Sequence, residues 1–182
     1  MKLLKKVLAV LLTLLLTTLA IIAPLSPVLA ASVNVYLTPY TGHPGTQVNV
    51  YGSGFTRPAN YSVTFSDSHG ETTVINNRAI PTSGSSGVIN NNFNVPVLPR
   101  GVYDVVVTTT ASTPDDISVP TFTITPQIFL DSTSVKYGDH LTVSGNGFIA
   151  NGTITDLLDG VVQTTTPSTV TSIYNGGFSG AQ

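Results

Sequence analysis

The chain repeats itself. Residues 35–55, VYLTPYTGHPGTQVNVYGSGF, align without a gap to residues 128–148, IFLDSTSVKYGDHLTVSGNGF, at an offset of 93. Six positions are identical: Leu37/Leu130, Gly45/Gly138, Val50/Val143, Gly52/Gly145, Gly54/Gly147 and Phe55/Phe148. Three more exchange like for like: Val35/Ile128, Tyr36/Phe129 and Val48/Leu141. The identities are glycines and core-type apolar residues, where backbone geometry and packing leave least choice. A period of 93 is too long for a solenoid repeat and suits a β-sandwich domain.

The patterning within the first repeat points the same way. Val33, Val35 and Leu37 alternate, as do Val48 and Val50, then Tyr61, Val63 and Phe65. Ile89, Asn91, Phe93 and Val95 mark a later strand, Tyr103, Val105 and Val107 the next, and Phe122 with Ile124 the last. Turn residues such as Gly42-His43-Pro44-Gly45 and Asp67-Ser68-His69-Gly70 separate these runs. Short period-two runs punctuated in this way signal a sandwich or barrel. The expected fold is all-β: tandem immunoglobulin-like β-sandwiches over 31–126 and 127–182, behind an N-terminal signal peptide over 1–30. The second sandwich reads as incomplete, because nothing after Phe178 corresponds to residues 93–125. On this reading the 182 residues are a fragment of a longer chain; the alternative is a genuine terminus with a partial domain.

Lys2, Lys5 and Lys6 precede an uncharged apolar run from Val7 to Ala23, followed by Pro24, Pro27 and the small-residue site Val28-Leu29-Ala30. This is the three-part pattern of a secretory signal. An uncleaved anchor is the alternative, since about 17 apolar residues can just span a bilayer. Loss of this segment removes three of the seven basic residues and none of the nine acidic ones. The remaining acidic balance argues against nucleic acid, whose phosphates need clustered Lys and Arg. Membrane contact is expected only through the signal peptide or an unseen anchor. Without cysteine there are no disulfides, thiol nucleophiles or cysteine metal sites.

Three stretches carry a family resemblance. They are Pro44-Gly45-Thr46-Gln47-Val48-Asn49-Val50-Tyr51-Gly52-Ser53-Gly54-Phe55, Phe93-Asn94-Val95-Pro96-Val97-Leu98-Pro99-Arg100-Gly101-Val102-Tyr103, and Phe122-Thr123-Ile124-Thr125-Pro126. They resemble the bacterial and archaeal immunoglobulin-like repeats of the IPT/TIG type found in cell-surface and S-layer-associated proteins. The resemblance implies adhesins, surface layers, or spacers in secreted enzymes. The shared residues have structural explanations. Gly52 and Gly54 permit positive φ or a bulge where the second strand ends, and Phe55 then folds back into the core. Tyr103 stands where a tyrosine corner would place its hydroxyl on nearby backbone. Gly45, Gly138, Gly145, Gly147 and Phe148 repeat or extend these roles.

No catalytic constellation is legible. His43, His69 and His140 lie in or beside turns, without a nucleophile elbow, an HExxH motif, a Walker loop or a dinucleotide fingerprint. Gly52-Ser53-Gly54 recurs as Gly145-Asn146-Gly147, which a nucleophile would not tolerate. Asp67, His69 and Glu71 share a turn, Asp115 and Asp116 share a loop, and Asp156 and Asp159 lie near Gly160. Calcium wants six to eight oxygens, and these read instead as solvated turn residues. No cofactor is expected. Asn60-Tyr61-Ser62 and Asn151-Gly152-Thr153 are N-glycosylation sequons, expected in loops. The expected function is a non-enzymatic, secreted or cell-surface module with a structural or adhesive role, its partners cell-surface proteins or glycans. The rivals are a glycan-binding module using some of Tyr36, Tyr40, Tyr51, Tyr61, Tyr137 and Tyr174, or a spacer within a secreted enzyme.

Overall fold

The computed structural model describes residues 32–68, 70–81, 87–112 and 115–181. The signal segment, residues 1–30, and His69 lie outside the described residues. Those described are all β; none forms a helix long and apolar enough to cross a membrane.

The described residues of the first unit form ten strands: β1 (Ser32–Val33), β2 (Val35–Thr38), β3 (Thr41–Gly42), β4 (Gln47–Phe55), β5 (Asn60–Asp67), β6 (Gly70–Ala79), β7 (Gly87–Asn94), β8 (Gly101–Thr109), β9 (Asp116–Ile117) and β10 (Thr121–Ile124). One sheet has the order β2-β4-β7, and the facing sheet the order β3-β10-β8-β5-β6. The chain therefore changes sheets between β2 and β3. β2 runs antiparallel to β4, the backbone bends at Pro39 and Tyr40, and β3 then runs parallel to β10. The Pro44 turn closes with Thr46 N donating to His43 O at 3.0 Å.

Alternation places every second residue between the sheets. Val35, Val48, Val50, Ile89 and Phe93 come from one sheet; Tyr61, Val63, Phe65, Tyr103, Val105, Val107, Phe122 and Ile124 come from the other. Phe65 is the hub. Its ring centroid lies 5.6 Å from Phe93, 6.0 Å from Tyr103 and 5.7 Å from Phe122, joining strands of both sheets. Tilted and edge-on aromatic pairs of this kind add about 0.5–1.5 kcal/mol each beyond area burial.

The second unit contains seven strands: β11 (Gln127–Leu130), β12 (Val143–Asn146), β13 (Thr153–Ile154), β14 (Leu157–Leu158), β15 (Val161–Val162), β16 (Val170–Thr171) and β17 (Phe178–Ala181). Its sheet β11-β12-β17 reproduces β2-β4-β7. Gly145 pairs with Phe178 as Gly52 pairs with Ile89. The pairs β13-β16 and β14-β15 stand where β5 and β6 stand in the first unit. Among the described residues no strand corresponds to β8 or β10. The buried cluster here reduces to Val170 and Phe178, with Val143, Phe148 and Ile154 packed partly against it.

Candidate functional site

The repeated residues are placed first, because they shape everything around them. Gly45 and Gly138 have φ of 90° and 89° in equivalent turns. Gly54 and Gly147, with φ of 92° and 70°, sit at the end of the second strand in each repeat. At Gly54 the register to β7 shifts between Ser53 and Phe55. An L side chain strains at such φ values. Neither Gly52 nor Gly145 has positive φ; each lies at or beside a register shift, the other alternative expected of this strand end. They vacate space for a ring. A Cβ on Gly52 would meet Phe55 Cε2 at 2.8 Å, and one on Gly145 would meet Phe148 Cε2 at 2.7 Å. Phe55 is buried and Phe148 half-buried, edge-on to Phe178 at 5.1 Å.

The sequence pairs two further glycines, Gly87 and Gly176, through the likeness of Ser86-Gly87-Val88-Ile89 to Asn175-Gly176-Gly177-Phe178, but gives them no role. A Cβ on Gly87 would lie 2.2 Å from Phe55 O, and one on Gly176 2.3 Å from Phe148 O. They are equivalent, 89 residues apart rather than 93. Both let a backbone segment close onto the phenylalanine that follows the bulge.

Tyr103 is buried and donates its hydroxyl proton to Pro99 O at 2.9 Å. Burial holds its pKa above the ordinary tyrosine value, and the charge of Asp67 adds to the effect. Asp115 is a latch: its carboxylate accepts Thr56 Oγ1 at 2.6 Å and Thr56 N at 3.1 and 3.2 Å. Asp67 Oδ1 accepts Gly70 N at 3.2 Å within its turn. Among the described residues no three Asp, Glu or His side chains group as metal ligands.

The two sequons differ. Asn60 is not in a loop; it opens β5, and its amide nitrogen donates to Asn77 Oδ1 at 2.9 Å. Asn151 is exposed in a turn with φ of 55°. It also borders a cleft of about 740 Å³ between the units, lined by Asp67, Glu71, Arg100, Tyr103 and Tyr174 among others. Charges of both signs face that cleft; no nucleophile is hydrogen-bonded to a base there among the described residues.

A second surface is built with more regularity. β2, β4 and β7 turn their outward residues into rows across three strands. Tyr36 lies opposite Tyr51, and Tyr51 opposite Asn90. Thr38, Asn49 and Asn92 form the next row, and Gln47 with Asn94 a third. All eight are exposed, Tyr36 at 59% and Tyr51 at 43%, and none carries a charge. The outer face of the other sheet, by contrast, exposes Glu71 and Asp104, both opposite Ser66. Of the tyrosines weighed as a sugar platform, Tyr61 is core, while Tyr40, Tyr137 and Tyr174 are exposed away from this face.

Residues 35–126 match the family model of the IPT/TIG domain. No curated protein and no solved structure matches the chain.

Proposed function

The chain belongs to the IPT/TIG domain family, whose domains are non-catalytic immunoglobulin-like modules, and on that premise we propose an exported surface module with a structural or adhesive role. The observation that carries this reading is the joint between the units. Only Thr125 and Pro126 separate β10 from β11. Thr125 N donates to Gly42 O at 2.8 Å, tying the linker to the first unit. Arg100 N donates to Phe148 O at 3.1 Å, tying the units to each other. Gly147 packs so closely on Thr125 O and Pro44 Cδ that an added Cβ would lie 2.8 and 2.9 Å from them. A short, proline-bearing, hydrogen-bonded joint supports a spacer that holds its shape.

The first unit also suits load. β1 runs parallel to β9 and β3 parallel to β10, so tension entering at the start of β1 and leaving at the end of β10 shears the hydrogen bonds of these pairs together rather than peeling them singly. Pulling the chain by its ends is expected to give a weak event from the second unit and then a distinctly stronger one from the first. A first unit that yields at no higher force than the second overturns the structural role. Export has its own test. N-terminal sequencing of the extracellular protein is expected to start at Ala31, and an extracellular chain still beginning Met1-Lys2 overturns cleavage.

A further inference from the structure

We propose that the outer face of β2, β4 and β7 is a binding site for a neutral polysaccharide, with Tyr36 and Tyr51 as the stacking platform. Three observations converge. Tyr36 and Tyr51 are directly opposed on neighbouring strands, which run about 4.8 Å apart. Two phenol rings carried by opposed residues of adjacent strands offer an aromatic strip for successive sugar rings. Tyrosine suits the task because its ring is apolar and its rim polar.

The second observation is the amides beside the rings. Asn is disfavoured in strands, since its side chain competes for nearby backbone groups. Yet Asn49, Asn90 and Asn92 all sit at outward strand positions next to the tyrosines. Among the described residues none of these three side chains makes a hydrogen bond, whereas the neighbouring Asn91 side chain is engaged, donating to Tyr61 OH at 3.2 Å and accepting Asn92 N at 2.9 Å. An amide presents both donor and acceptor, which is what a sugar's hydroxyl pairs require. Positions where a local preference is broken without structural compensation are where function is expected.

The third observation is charge. The rows contain no Lys, Arg, Asp or Glu, so the face has nothing to pair with uronic acids, sulfates or phosphates, and a neutral chain matches it. The repeat sharpens the point. Ninety-three residues on, Tyr36 becomes Phe129, Tyr51 becomes Ser144 and Asn49 becomes Thr142. Core and glycines are kept between the units, while the second tyrosine and the amide are not. The site therefore belongs to the first unit, and it does not depend on the load-bearing reading.

The test is retention of the full chain on cellulose and on chitin, with polygalacturonate as the charged comparison. Retention on a neutral polysaccharide is expected, weakened at least tenfold by Tyr36→Ala or Tyr51→Ala and lost in the double variant. Tyr36→Phe, which keeps the ring, and Tyr137→Ala, in the second unit, are expected to bind as the parent does. Both platform tyrosines are exposed, so the alanine variants are expected to melt with the parent. Should either misfold, ring-proton shifts of Tyr36 and Tyr51 in the unchanged chain on adding cello- or chito-oligosaccharide decide the matter. No retention on either neutral polymer together with unmoved ring signals overturns the proposal. So does binding that survives the double variant, or stronger retention on polygalacturonate. A dimer dissolved by the double variant would instead make this face a contact between copies, and would likewise overturn it.

Discussion

The two units follow one recipe to different ends. Val35 is 4% exposed and its counterpart Ile128 is 58%; Phe65 is 1% and Leu158 is 69%. The glycines, the bulge and the phenylalanine that folds over it recur in both. What differs is the cover. In the first unit β8 and β10 bring Tyr103, Val105, Val107 and Phe122 over the core. In the second unit no described strand takes their place. The comparison teaches that the conserved glycines shape a strand end, whereas burial depends on strands contributed from far along the sequence.

The sharpest break of this comparison is at Gly87 and Gly176. Gly87→Ala drives a Cβ into the Phe55 carbonyl, and the loss is expected to reach about 3 kcal/mol or more, by chemical denaturation of the first unit. Gly176→Ala makes the same clash, but is expected to leave the main transition unmoved, because the second unit has little cooperative core to lose. Next comes the aromatic hub. Phe65→Ala is expected to cost about 3–5 kcal/mol, and Leu158→Ala less than about 0.5 kcal/mol. Equal costs at these two sites would erase the distinction between the units.

Smaller effects probe features only the first unit has. Asp115→Ala removes a carboxylate that holds Thr56, where the second unit has Ile149, and about 1.5–3 kcal/mol is expected from charge-assisted hydrogen bonds. Tyr103→Phe gives up one hydrogen bond to Pro99 O, worth about 0.5–1.5 kcal/mol. It also carries a pH signature. The folded-state pKa of Tyr103 is raised, so its contribution is complete below the ordinary value of 10.0 and drains away as pH rises through the folded value. Alkaline titration of stability is expected to fall more steeply for the parent than for Tyr103→Phe, and parallel curves would contradict the assignment.

Much of this was legible beforehand, and for a physical reason. Period-two alternation reports burial directly, so most core strands between Val33 and Ile124 could be read from the sequence alone, though not β6 with its buried Ile75. Gly54 and Gly147 were readable as strand-end devices because their positions recur. The ring that Gly52 admits was not readable, because sequence does not separate a glycine needed for φ or a bulge from one needed to admit a ring. Asn60 was placed in a loop since its strand begins immediately after Pro58 and Ala59. The tyrosine face had a faint signal: Tyr36 and Tyr51 each alternate with buried valines, which fixes the side they face. That they stand opposite one another depends on the β2–β4 register, and no single strand contains it.

Native-state hydrogen exchange on the full chain compares the units in one measurement. Amides of β4, β5 and β8 are expected to exchange only through opening of the whole first unit, while those of β13 to β16 exchange orders of magnitude faster through local opening. Uniform protection across both units, released together, would contradict the account, because it would mean that the second unit closes its core as fully as the first.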